Sequence, residues 1–184
     1  MKRISILAAG LLLAFASTSS FAADGNAGFV RAEVGNANVS IDGEDDNDTA
    51  YGIRGGYFFN ANIGVEAFYT NLYDETERDP FFGDITLEGR TYGIGLVAKK
   101  NVGDAHTGLF VSGRLGVART EMEIGVAGFG SEEESDTRVF LGAGAGYDFN
   151  EHFGLSVDVT YQQPKLLDET FKITTVTVGA EYRF

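Results

Sequence analysis

The chain has 184 residues with no Cys, no Trp, two Pro and 25 Gly, and its 14 basic and 27 acidic residues give a formal charge of −13. Zero Cys excludes a disulfide framework, thiolate metal sites and thiol catalysis, and so acidic a balance offers no basic patch for a nucleic-acid partner. The length suits one domain plus a short removable segment, and the glycine count is well above the usual share of about 7%.

The first segment reads as an address. Met1-Lys2-Arg3 supplies a positive start, Ile4 to Ala16 is apolar apart from Ser5 and Gly10, and Ser20-Phe21-Ala22 places small side chains where a signal peptidase reads them. This is the layout of a secretory signal peptide spanning residues 1–22, and the apolar run is short for a membrane span of about 20 residues. Its removal takes away Lys2 and Arg3 and no acid, so the domain at 23–184 keeps 12 basic and 27 acidic residues.

From there the chain alternates with period two, the signature of strands whose side chains point to opposite faces. Val30, Ala32 and Val34 oppose Arg31, Glu33 and Gly35. Tyr51, Ile53 and Tyr57 oppose Gly52, Arg54 and Gly56, and Ile63, Val65, Ala67 and Tyr69 oppose Gly64, Glu66, Phe68 and Thr70. Tyr92, Ile94, Leu96 and Ala98 alternate with Thr91, Gly93, Gly95 and Val97. Leu109, Val111, Leu115 and Val117 oppose Ser112, Arg114, Gly116 and Ala118. Val139, Leu141, Ala143, Ala145 and Tyr147 oppose Gly142, Gly144, Gly146 and Asp148, with Phe140 the exception. Phe153, Leu155, Val157, Val159 and Tyr161 oppose Gly154, Ser156, Asp158, Thr160 and Gln162. In the last segment Thr174, Val176, Val178, Ala180, Tyr182 and Phe184 oppose Thr175, Thr177, Gly179, Glu181 and Arg183. These are eight strands, most of them near the roughly 9–11 residues that a tilted transmembrane strand requires.

Alternation fits a soluble barrel with an apolar interior as well as a membrane barrel with an apolar exterior; the connections separate the two. Those at Phe59 to Asn62, Lys99 to His106 and Phe149 to His152 are short. Those at Asn36 to Thr49, Asn71 to Leu87 and Glu121 to Thr137 read as long acidic loops, and Gln163 to Lys172 is intermediate. Short turns at one end and longer loops at the other are what transmembrane barrels show. Aromatics gather beside the short turns: Tyr57, Phe58 and Phe59, then Tyr147, Phe149 and Phe153, then Tyr182 and Phe184. They read as an interfacial girdle. The predicted fold is all-β, an eight-stranded antiparallel up-and-down transmembrane β-barrel located in the cell outer membrane.

Three stretches carry a family likeness: Gly179-Ala180-Glu181-Tyr182-Arg183-Phe184 at the end, Gly142 to Asn150 before one short turn, and Asn62-Ile63-Gly64-Val65-Glu66 after another. Over essentially the whole mature length the chain resembles the small OmpA/OmpX-type outer-membrane barrels. The resemblance implies that Tyr182 and Phe184 serve as a C-terminal assembly signal read by the outer-membrane assembly machinery. It does not imply one function, because such barrels serve as adhesins, channels, enzymes and plain structural proteins.

The inward face collects charges of both signs: Arg31, Arg54, Arg114 and Arg183 against Glu33, Glu66, Asp148, Asp158 and Glu181. Unpaired charges there would be very costly, so opposite signs are expected to pair. In a barrel whose eight strands leave about enough room for side chains alone, the pairs would fill the lumen. The competing reading is a narrow channel for ions or small solutes gated by partner exchange, with Glu66 and Arg114 as the pair. A lipid A-modifying enzyme is disfavoured, since His106 and His152 both fall in short turns away from the outer leaflet and no other side chain titrates naturally near neutrality. Outside, Asp42, Glu44, Asp45, Asp46 and Asp48 are dense in hard oxygen ligands for a divalent cation but lack the spacing of an EF-hand. A solvated acidic loop explains them as well. Asp79-Pro80-Phe81-Phe82 puts an aromatic pair at a loop tip, a feature that can mark a contact site. The sequence thus predicts a non-catalytic barrel that displays acidic loops for surface interaction or envelope integrity. No cofactor and no resident metal are expected. Its expected partners are outer-membrane lipid and lipopolysaccharide, the assembly machinery, and a host or environmental surface ligand.

Overall fold

A computed structural model describes residues 27–41, 44–79, 83–103, 107–126, 130–166 and 169–184. The segment at 1–22, Asp42, the tip residues Pro80, Phe81 and Phe82, and His106 lie outside the described residues. The strands are β1 (Ala27–Ile41), β2 (Glu44–Phe58), β3 (Ile63–Asp79), β4 (Gly83–Asn101), β5 (Gly108–Val126), β6 (Gly130–Asp148), β7 (Phe153–Gln162), the two-residue β8 (Lys165–Leu166) and β9 (Glu169–Thr170), and β10 (Lys172–Arg183).

Eight of them close into an antiparallel barrel in the order β1-β10-β7-β6-β5-β4-β3-β2, while β8 and β9 pair only with each other. Closure runs from Phe29 opposite Arg183 to Ser40 opposite Lys172. It is sealed by paired backbone hydrogen bonds between Gly28 and Phe184 of 3.0 and 2.9 Å.

Which face points inward is settled by exposure. Ile94, Leu109 and Val139 are each about 60% exposed on the outer wall, with Val34, Ile53, Val65, Leu115 and Val178 around the same circumference, whereas Arg31, Arg54, Glu66, Arg114, Asp148 and Asp158 are buried inside. A wall of branched apolar side chains around a charged interior is inverted with respect to a water-soluble protein and matches a barrel immersed in lipid.

Two of the short turns are built alike. Asn60 Oδ1 accepts from the backbone N–H groups of Asn62 and Ile63, both at 2.9 Å, and Asn150 Oδ1 accepts from those of His152 and Phe153 at 2.9 and 2.8 Å. An Asn whose side chain satisfies the backbone two and three residues on is the physical basis of a tight polar turn. Tyr57, Phe59, Tyr147, Phe149, Phe153 and Tyr182 are exposed beside these turns. Phe58 does not belong with them: it is buried in the lumen against Phe29, ring centroids 5.2 Å apart, because it has the inward parity of Arg54. A second girdle marks the other rim, where Tyr51, Tyr69, Tyr92 and Tyr161 are exposed. On β7, Phe153 and Tyr161 are eight residues apart, about 20 Å along the barrel axis at a rise of about 3.3 Å and a tilt of about 40°.

The long acidic loops of the sequence reading are mostly strand. Pairing of β1 with β2 continues to Ile41 opposite Glu44, that of β3 with β4 to Asp79 opposite Gly83, and that of β5 with β6 to Val126 opposite Gly130. Since β2 leaves β3 after Tyr51 opposite Asn71, and β6 pairs with β7 only from Phe140 opposite Gln162, strands β3 to β6 continue outward as a four-stranded sheet whose edges pair with no barrel strand among the described residues. Several strands therefore exceed the transmembrane length expected. The turn expected at Lys99 to His106 is also shorter, since β4 runs through Lys99 to Asn101.

Candidate functional site

The lumen receives charge from every barrel strand, and the sequence-selected residues converge there. Arg31 Nη1 lies 3.1 Å from Asp158, Arg114 Nη1 2.5 Å from the other oxygen of Asp158, and Arg114 Nε 3.3 Å from Glu66. Arg54 donates to Glu66 at 2.6 Å and to Glu33 at 2.9 Å, and Glu33 stands 3.8 Å from Arg31. These six groups alternate in sign around a closed ring. Glu66 and Arg114 thus meet, but Glu66 is shared with Arg54 rather than held as an isolated pair.

A second ring is fused to the first through Arg31, whose guanidinium pairs with Glu181, Nε at 3.1 Å. Lys99 Nζ donates to Glu181 at 3.2 Å and to Asp148 at 3.0 Å; Arg183 closes the circuit with Asp148 at 2.6 Å and Glu181 at 3.4 Å. Asn101 and Ser156 complete it by donating to Asp148 and Asp158 at 2.8 and 2.6 Å. Five cations therefore meet five carboxylates, all of them buried.

Lys99, Asn101 and Ser156 were not singled out by sequence. A signal for Lys99 existed: it shares the inward parity of Val97, and four arginines against five acids leave one carboxylate in need of a cation. The Lys99 ammonium also sits over the Phe110 ring, 3.9 Å from its centroid, a favourable cation–π placement.

Apolar clusters lie to both sides of the network. Phe29, Phe58 and Val97 pack together toward the chain termini. Phe68, Ala118 and Phe140 pack one step toward the outer rim, with Arg54 stacked 4.6 Å over Phe68. Beyond them Thr91 bonds to Thr120 and Gln162. Ala37, Ala50, Leu72, Phe171 and Ile173 close the outer mouth. Leu72 reaches this cap because the β3 ladder skips it between Asn71 and Tyr73, a bulge that re-aims a side chain. Glycine makes the packing possible at Gly144, where a Cβ would overlap the Asp158 carboxylate, and at Gly179, where it would come 2.8 Å from Arg31 Cδ. The charged layer of the lumen is thus flanked by aromatic layers.

The remaining sequence candidates fall elsewhere. Tyr182 faces outward near Phe184, ring centroids 6.4 Å apart, beside the closing seam. His152 Nδ1 lies 2.9 Å from the Arg183 carbonyl and its ring stacks near Tyr182, so it braces the turn. Residues 44–48 lie in the β2 ladder, Glu44 opposite Ile41, Asp45 opposite Ser40, Asp46 opposite Val39 and Asp48 opposite Ala37, and an extended strand divides successive residues between two faces. Among the described residues no three His, Cys, Asp or Glu are grouped to hold a metal ion.

At the outer rim Glu121 accepts from the Tyr92 hydroxyl at 2.6 Å, Arg90 Nε at 2.8 Å and Arg119 Nε at 3.1 Å. The Tyr92 bond, then the Arg90 bond, hold its carboxyl below the ordinary carboxylate value against some opposing desolvation. Asp136 is held low chiefly by the Lys165 backbone N–H at 2.5 Å, with Arg138 and the Thr137 N–H adding to it.

The model of the outer membrane protein beta-barrel domain matches residues 7–184. The chain belongs to this family of outer-membrane barrels. Among solved structures it is similar to Ail, the attachment invasion locus protein of Yersinia pestis, crystallised in complex with the heparin analogue sucrose octasulfate. That likeness has a TM-score of 0.64 at 22% identity and covers 88% of this chain and 99% of Ail. Neisserial surface protein A matches at TM-score 0.62 and 16% identity over 85% of this chain and 97% of its own. The outer membrane protein OprG of Pseudomonas aeruginosa matches at 0.58 and 17% over 88% and 98%. At these identities the likeness is one of fold. A search of curated protein sequences gives no match. Family and fold together place the protein in the outer membrane, and its OmpA/OmpX-like character agrees with the resemblance read from sequence.

Proposed function

We propose that this outer-membrane barrel is non-catalytic and non-conducting, and that its role is exercised outside, where strands β3 to β6 present a four-stranded sheet to surface ligands or to the neighbouring envelope. The observation that carries this reading is the single ten-charge network, to which all eight barrel strands contribute, between the Phe29–Phe58–Val97 and Phe68–Ala118–Phe140 clusters. Moving any one member aside leaves its buried partners short of a counter-charge, a cost of about 3–5 kcal/mol. Among the described residues no barrel strand pairs with the outer edges of β3 and β6, and a strand edge of this kind favours recognition by strand addition. Ail, crystallised with a heparin analogue, gives precedent in this fold for a bound soluble ligand. Recognition of Tyr182 and Phe184 by the assembly machinery belongs to the same proposal, supported by their place at the seam.

Proteoliposome swelling in an arabinose solution tests the closed lumen. Vesicles holding the folded barrel are expected to swell no faster than empty ones; swelling that grows with protein content would replace this reading by the channel.

A further inference from the structure

The inward parity of the lumen continues along the protruding strands, and it sorts their residues. On β5 the positions in step with the buried Ala118 and Thr120 are Met122, Ile124 and Val126, and those opposite them on β4 are Gly89, Leu87 and Ile85. On the flanking strands the same rows place Glu75 and Glu77 of β3 opposite Leu87 and Ile85, and Glu134 and Glu132 of β6 opposite Met122 and Ile124. The side of the sheet that continues the lumen is therefore apolar along its two middle strands and acidic along both outer ones, and none of these positions holds Lys or Arg. The other side mixes signs, with Arg78 opposite Asp84 and Arg90 opposite Glu121.

At its foot this stripe joins packed apolar surface, since Met122 lies against the mouth cap of Leu72, Phe171 and Ile173. An apolar stripe between acidic borders, on strands beyond the membrane, marks a contact surface for a partner of matching pattern. Its dimensions suit a helix. Three strand spacings span about 14 Å from β3 to β6, close to the diameter of about 10–12 Å of an α-helix. Met122 to Val126 covers about 13 Å along the strand, or about nine residues of helix at a rise of about 1.5 Å. A helix lying along β4 and β5 with its apolar face down would set basic side chains on both shoulders against the glutamates.

We infer that the inward side of the protruding sheet binds a cationic amphipathic helix, its apolar face on the Leu87 and Ile124 row and its Lys or Arg flanks against Glu75 and Glu77 on one border and Glu132 and Glu134 on the other. The inference rests on the external role proposed for this sheet and names the chemistry of its partner.

Fluorescence anisotropy tests it with a labelled Leu/Lys peptide, patterned as an amphipathic helix of about 14 residues, against the folded protein in phosphatidylcholine nanodiscs, with empty discs as the baseline. The protein is expected to bind the peptide about tenfold more tightly than empty discs do, less so as salt rises, and to leave a Leu/Glu counterpart at the baseline. Leu87→Ser/Ile124→Ser should weaken binding about tenfold, and so should the fourfold change Glu75→Gln/Glu77→Gln/Glu132→Gln/Glu134→Gln. Baseline binding by the unaltered protein overturns the site, as does equal binding of the Lys and Glu peptides, and neither result depends on a variant that folds. Unchanged binding in the Ser variant overturns it too. A closed barrel that ignores the Leu/Lys peptide removes this inference alone, whereas one that binds it and also admits arabinose removes the closed lumen alone.

Discussion

The lumen and the outer rim use the same vocabulary, arginine against carboxylate, in different solvents. Inside, Arg114, Glu66 and Asp158 have side chains at most 1% exposed and each charge touches two or more of opposite sign. At the rim Arg138 meets Asp136 at 2.7 Å with nearly half of its side chain in solvent. Geometry alone would rank these pairs alike. Desolvation separates them: breaking a buried pair strands a charge, whereas an exposed pair is worth about 0–1 kcal/mol. On the proposed reading the lumen network serves closure and the rim serves contact.

The largest effect should come from breaking the junction of the two rings. Arg31→Met leaves Asp158, Glu181 and Glu33 short of a cation and is expected to cost about 3–5 kcal/mol, read from urea unfolding in phosphocholine vesicles by the heat-dependent gel shift. Next, Gly144→Ala should cost about 1–3 kcal/mol through overpacking against Asp158, while Gly113→Ala, where an added Cβ meets nothing within 4 Å, should be nearly neutral in the same assay. Smallest is Arg138→Ala, at about 1 kcal/mol or less; a cost as large as that of Arg31→Met would erase the distinction between the two regions.

The rim also has a pH signature. The Glu121 and Asp136 carboxyls are held below their ordinary values, so the unfolded chain takes up protons before the folded one does. Their stabilisation is complete above the ordinary carboxylate value and is lost as pH falls toward the depressed one. Amide protection at residues 119–123 and 134–138 should fall across that acidic window, and Glu121→Gln should flatten the dependence in the first stretch.

The alternating pattern was legible because lipid outside and side chains inside impose opposite polarities on successive residues. Where water bathes both faces that demand lapses, so residues 36–41, 44–49, 71–79, 83–87 and 130–137 read as loops although their backbones pair as strands, and only Met122 and Ile124, alternating with Glu121 and Glu123, hint that β5 goes on. The five acids and four arginines of the lumen were legible from parity alone. Lys99 was hidden by the assumption that its strand had ended. The inward aromatics needed register: Phe29 lies over Gly56, Phe68 over Gly93 and Phe140 over Gly95 and Gly116, and no sequence pattern says which glycine stands opposite which ring. The acidic run at 42–48 invited a loop reading, whereas residues 44–48 lie in the β1–β2 ladder.

Single-channel recording in a planar bilayer bears most directly on the closed lumen. Folded protein, verified by its gel shift, should give a silent trace at high salt. Discrete openings whose conductance changes in Glu66→Gln or Arg114→Gln would contradict closure and make the network a gate.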